Sequence, residues 1–130
     1  MTIPSARAFQ SIISNYDGLG KSPLGLRLQK IVPSWSDRLS NIQLKDFVQD
    51  YAHKHANGRP IESVASEIGF DCQNKEEKTC NYEGIYTYDL KMPGSPDQRA
   101  AIEISVILNY SAEPWEIHGS RKFLYGGIEN

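Results

Sequence analysis

Cys72 and Cys80 are the only cysteines of the chain, and the seven residues between them, from Gln73 to Thr79, are polar with balanced charges. Zinc takes four ligands, usually in C-x2-C pairs, so this lone pair is not a metal site. Nor is it the C-x-x-C of a thiol oxidoreductase. What remains is a structural disulfide or two free thiols. If residues 70–73 and 79–82 are the arms of a hairpin, Phe70 opposes Tyr82 and Cys72 opposes Cys80. Directly opposed residues stand about 4.5–5.5 Å apart at Cα, within the roughly 4.4–6.8 Å that a disulfide spans. A Cys72–Cys80 bridge is therefore expected, and with it an oxidising compartment. The run from Met1 to Arg7 lacks the charged-then-apolar layout of a signal peptide. The expectation is a periplasmic or secreted chain in mature form, without its signal peptide. A cytoplasmic protein with reduced thiols is the alternative.

Three histidines are the remaining candidates for acid–base or metal chemistry. His53 and His55 lie two apart in an expected helix, on opposite sides of it, and cannot share a metal ion. His55 closes an apolar stripe and suits the last carbonyls of that helix. His118 alternates with Glu116 and Ser120 on an expected strand, a trio able to move protons but equally at home as solvated surface. No G-x-S-x-G, H-E-x-x-H, calcium loop or G-x-G-x-x-G occurs. Gly18-Leu-Gly-Lys-Ser22 resembles the end of a phosphate loop only superficially. Asn15 stands where that motif needs glycine, and an expected helix, not a strand, precedes it. No catalytic set, metal site or cofactor is legible, and a non-enzyme is expected.

The elements that must position these residues fall into two halves. Phe9, Ile12, Ile13 and Tyr16 recur at helical spacing, which predicts a first helix over Ser5–Tyr16. Ser22-Pro23 predicts a short second helix, stopped by Pro33. Ser40-Asn-Ile-Gln43 reads as a capping box, with Leu39 and Leu44 as its staple, opening a third helix that Gly58 ends. Pro60 opens a fourth, with Ile61, Val64, Ala65 and Ile68 on one face, Gly69 as its cap and Phe70 folding back.

From Phe70 the period changes to two. The even positions Tyr82, Tyr86, Tyr88 and Leu90, then Ile102, Ile104, Val106 and Leu108, form a dry face, with the cysteines among them. Glu83, Ile85, Asp89, Glu103 and Ile107 form the wet one. Pro93-Gly-Ser-Pro-Asp97 separates the two long strands, and Pro114 precedes a last strand near 115–125 with a bend at Gly119. The expected fold is α+β, with N-terminal helices packed on one face of a C-terminal four-stranded antiparallel meander. The 130 residues suit one domain over 1–130, helices over about 5–68 and sheet over about 70–125.

A net charge of −2 argues against a nucleic-acid binder, and no apolar run is long enough to span a membrane. The charge is uneven: residues 1–58 carry a net +3 and residues 59–130 a net −5. Apolar residues ringed by acids on an open sheet suit a protein partner, and the acids suit a basic one. The expected function is an extracytoplasmic, inhibitor- or immunity-like binding module. It would act through Glu83, Ile85, Asp89, Glu103, Ile107, Glu116 and His118. The alternative is a small-molecule pocket, with weak enzymatic activity at most, between the helices and the aromatic even face.

Overall fold

The computed structural model describes residues 11–15, 17–74, 76–91, 94 and 98–125. Three helices, α1 (Pro23–Ile31), α2 (Asp37–His55) and α3 (Ile61–Ile68), lie against a five-stranded antiparallel sheet. Its strands are β1 (Ser11–Asn15), β2 (Asp71–Asn74), β3 (Thr79–Lys91), β4 (Gln98–Asn109) and β5 (Glu116–Tyr125). The architecture is α+β, and the four strands expected from the sequence are β2 to β5, paired in chain order.

The first expected helix is corrected. Residues 11–15 are not helical but form β1, antiparallel to Thr87–Lys91 of β3; the rest of that expectation, residues 5–10 and Tyr16, lies outside the described residues. Two adjacent β-branched isoleucines among Ser11, Ser14 and Asn15 make a poor helix. The open edge of β3 supplies hydrogen bonds that a short isolated helix must find within itself. β1 and β2 share that edge at opposite ends, since Asp71 pairs with Asn81. Between them a 3₁₀ turn, Asp17–Leu19, packs against β3, and the Tyr82 hydroxyl donates to the Leu19 carbonyl at 2.6 Å.

α1 begins as its sequence dictates: the Ser22 hydroxyl accepts from the Gly25 N–H at 3.0 Å, with Pro23 in the first turn. α3 ends on Gly69 at φ +135°, with the N–H groups of Gly69 and Phe70 both donating to the Ala65 carbonyl. That backbone region favours glycine. A Cβ at Gly69 would also run into the Ser22 side chain, so the caps of α1 and α3 lock together.

α2 starts one turn before the expected capping box. Ser36 precedes it, and the Ser40 hydroxyl reaches back to accept from the Ser36 N–H at 2.9 Å. Ser40 therefore closes the box from inside the helix, and Leu39 is exposed rather than stapled. Trp35 explains the earlier start: its indole N–H donates to Asp37 at 2.6 Å, fixing the entry into the helix.

Buried residues of α1, α2, α3 and the even face of the sheet form one cluster, including Leu28, Leu44, Val64, Ile68, Cys80, Tyr86, Ile104 and Leu108. α2 is fastened to β5 by a side chain acting as a strand. The Asn41 amide accepts from the Gly119 N–H at 2.6 Å and donates to the Gly119 carbonyl at 3.2 Å. Gly119 marks no bend, contrary to expectation; the register irregularity of β5 falls further on, between the partners of Ala101 and Ile102. Gly119 is needed because a Cβ there would lie 2.7 Å from Leu44 and 3.1 Å from Trp35.

Gly119→Ala should therefore destabilise the fold by about 1–3 kcal/mol through overpacking, and Asn41→Ala by a similar ~1–3 kcal/mol through two lost hydrogen bonds. His118→Ala, on the exposed side of the same strand, should stay within about 0.5 kcal/mol. Urea unfolding midpoints of the three variants check this, and a silent Gly119→Ala would contradict the packing.

Candidate functional site

The helices cover the even face and leave the other face of β3, β4 and β5 open. Register places the expected contact residues there in rows across the strands. Ile107 sits between Asn81 and His118, Ser105 between Glu83 and Ser120, and Glu103 between Ile85 and Lys122. Glu116 pairs with Asn109. Ile85 is 41% exposed and Ile107 47% exposed, while Glu83, Glu116 and His118 are exposed and Glu103 is half-buried.

All seven residues are thus on three adjacent strands. Asp89 lies at the far end of the set. It is four residues beyond Ile85 on β3, about 13 Å at strand rise, in the stretch paired with β1. It is half-buried and already has an interaction within the chain.

The face is electrostatically uneven. Among the described residues Glu83, Glu103 and Glu116 form no ion pair; the two bridges seen there, Lys54–Asp50 and Arg59–Glu67, lie elsewhere. Lys122, opposite Glu103, is a cation that sequence reasoning missed, although the parity of β5 assigns it to the open face. Same-face neighbours on one strand are about 6.8 Å apart, and no hydrogen bond among the described residues joins Glu116, His118 and Ser120. The trio is a row of separate surface groups. No group of three or more His, Cys, Asp or Glu among the described residues could hold a metal ion. His55 stacks on Tyr51 with ring centroids 4.2 Å apart. It is Arg59, not His55, that caps α2, donating to the His55 carbonyl at 3.3 Å.

The disulfide is present. Cys72 and Cys80 are bonded, with Cα atoms 4.2 Å apart, across the β2–β3 hairpin. The hairpin holds its expected register at Asp71–Asn81, then shifts by one residue to Asn74–Thr79. The Cys80 side is fully buried, so the bridge ties the hairpin to the core from beneath.

Two of the tyrosines expected to line a pocket have their hydroxyls engaged within the protein. Tyr82 donates to Leu19, and Tyr110 donates to the Glu62 carboxylate at 2.6 Å; Tyr86 is 3% exposed within the core. Among the described residues open clefts lie at two places, the first of them lined in part by Tyr82. One, of about 590 Å³, is at the β3 edge near Lys21, Asp71 and Glu83. The other, of about 400 Å³, lies between α2 and the turn before β5. The second has Trp115 in its wall, and the Trp115 indole N–H is buried without a partner. Nothing in the linear sequence brings Trp115 to α2.

These features define a disulfide-bonded α+β protein with one helix-covered and one open sheet face. The chain matches no protein-family model, no curated protein and no solved structure. Among the described residues no helix is long and apolar enough to cross a membrane.

Two outcomes are expected. Reducing the disulfide should lower stability by about 2.5 kcal/mol, the chain-entropy value for so short a loop; an unchanged urea midpoint in dithiothreitol would show the bridge to be dispensable. Alkali should act through tyrosine. Burial pushes Tyr82 up to about 12, and burial with the Glu62 carboxylate beside it pushes Tyr110 up to about 12. An unfolded tyrosine ionises near pH 10, so above that pH the folded chain holds protons that the unfolded chain has lost. The stabilisation is complete below about pH 10 and is lost as pH rises towards 12. Urea midpoints at pH 9 and pH 11 should differ in that sense, and the Tyr82→Phe/Tyr110→Phe variant should flatten the difference.

Proposed function

We propose that the protein is an extracytoplasmic binding module, inhibitor- or immunity-like, that engages a partner protein through the open face of β3, β4 and β5. One observation carries the reading: Ile85 and Ile107 stand exposed on this face, two rows apart with Glu83 and Ser105 between them, and Glu83, Glu103 and Glu116 form no ion pair among the described residues. Exposed aliphatic side chains interspersed with acids on an uncovered sheet face suit contact with another protein. Unpaired acids on that face favour a partner with a basic contact surface, because complementary charge speeds encounter. The Cys72–Cys80 bridge supports a secreted or periplasmic setting, where disulfides persist. Asp89 lies at the far end of this surface and already has an interaction within the chain.

The test is capture from the native host's extracellular or periplasmic extract, followed by association kinetics with the captured protein. Glu83→Lys/Glu103→Lys should slow association about tenfold at low salt, with the gap closing as ionic strength rises. Ile85→Glu should shorten the lifetime of the complex, whereas Leu39→Glu, on the exposed side of α2, should change neither rate. A partner that binds all three variants alike would sink the proposal.

A further inference from the structure

The charges of the helix layer bear on what can cover the open sheet face. From Gly18 to Ser36 the chain carries Lys21, Arg27 and Lys30 and no acid. Leu24, Leu28 and Ile31 hold α1 against the core. Leu26, Arg27 and Lys30 stand on its other side, all exposed, with Leu26 at 48%. Residues three and four apart are neighbours on a helix, so Lys30 lies beside both Leu26 and Arg27. The Arg27 guanidinium is held over the Phe47 ring at 4.9 Å, which fixes its place on this surface. Among the described residues neither cation forms an ion pair.

This surface is the chemical counterpart of the open face of β3, β4 and β5. One sets an exposed leucine beside two cations; the other sets Ile85 and Ile107 among Glu83, Glu103 and Glu116. Lys122, opposite Glu103, offsets one of the three carboxylates and leaves the face negative with His118 counted neutral. The other helices offer no such match. α2 balances Arg38, Lys45 and Lys54 with Asp37, Asp46 and Asp50, and the charges of α3 are the acids Glu62 and Glu67. The exposed side of α1 and the open face look in opposite directions, because the core lies between them. One copy cannot bring its own two surfaces together, whereas two copies can.

We infer that the open sheet face of one copy docks the α1 surface of a second copy, with Leu26 against the two isoleucines and Arg27 and Lys30 among the carboxylates. The inference rests on the reading of that face as a contact surface and makes a second copy its occupant when no other partner is present. Two different patches meet, so the contact is heterologous and builds short head-to-tail chains rather than a closed dimer. Sedimentation velocity over a concentration series at low salt should show the average mass rising above that of the monomer. High salt should return it to the monomer, because screening removes the attraction between exposed charges. Leu26→Glu/Lys30→Glu, which leaves the Arg27–Phe47 stack in place, should weaken self-association about tenfold, and so should Glu83→Lys/Glu103→Lys. An equimolar mixture of these two variants should associate again, since one keeps the native sheet face and the other the native α1 surface. A chain that stays monomeric, an association that the α1 variant retains, or a mixture that stays silent would overturn the inference. So would a monomer whose α1 surface binds vesicles of anionic lipid instead. A captured partner without self-association removes this inference and keeps the proposed function; self-association with nothing captured does the reverse.

Discussion

The pairing of β3 with β4 is the constraint on which the rest of the structure depends. It runs without a break from Thr79–Asn109 to Leu90–Gln98. Because side chains alternate along a strand, an unbroken register fixes every residue of both strands to one face. A slip of one residue would turn Ile104, Val106 and Leu108 into solvent and bring Glu103 inside. The helices have somewhere to pack only because that register holds. β5 continues the same alternation across Ile107–His118 and Ser105–Ser120. Two side chains depart from it: Ala101, on the outward set, is buried, and Arg121, opposite inward-facing Ile104, is exposed.

A sheet with a fixed register still has edges, and here the β3 edge is paired while the β5 edge is covered at Gly119. Gly119 gives its N–H and carbonyl to Asn41, so those groups point away from β4 and would otherwise be open to another strand. By the alternation of antiparallel bonding, the odd residues of β3 then present their backbone to the opposite edge. That edge is divided: β1 takes Thr87–Lys91, β2 takes Asn81 and Thr79, and the 3₁₀ turn at Asp17–Leu19 covers part of the gap. The disulfide sits at one end of this arrangement and holds β2, the shortest strand, where its few backbone bonds alone would be weak support.

How much of this the sequence discloses depends on the range of the interaction. Local rules were enough for the start of α1, where Ser22 and Pro23 act within one turn, and for the Gly69–Phe70 stop of α3. Two-residue alternation was enough for the faces of β3, β4 and β5, and with a hairpin register it also paired Cys72 with Cys80. Residues 11–15 were misread because Ile12 and Ile13 fit a helical stripe and a strand alike, and the tie was broken by a strand edge more than seventy residues away. The start of α2 was misplaced by one turn because a serine four residues into a helix and a serine before it can make the same hydrogen bond from opposite ends. Asn41 with Gly119, and Trp115 with α2, left no trace in the sequence, since neither residue type nor spacing carries information across such separations. Parity alone was enough to put the proposed contact residues on the open face, with Asp89 at its far end.

The two faces of the sheet divide the work between them. On the even face the polar groups of the aromatic residues are mostly satisfied inside the protein: Tyr82 on Leu19, Tyr110 on Glu62, Trp35 on Asp37. Each of those bonds ties an element to its neighbour, which makes them structural. On the open face the opposite holds, with carboxylates unpaired and two isoleucines half in water, and those groups contribute little to stability in the isolated chain. Exposed Ile85 and Ile107 forgo the burial that stabilises the other side.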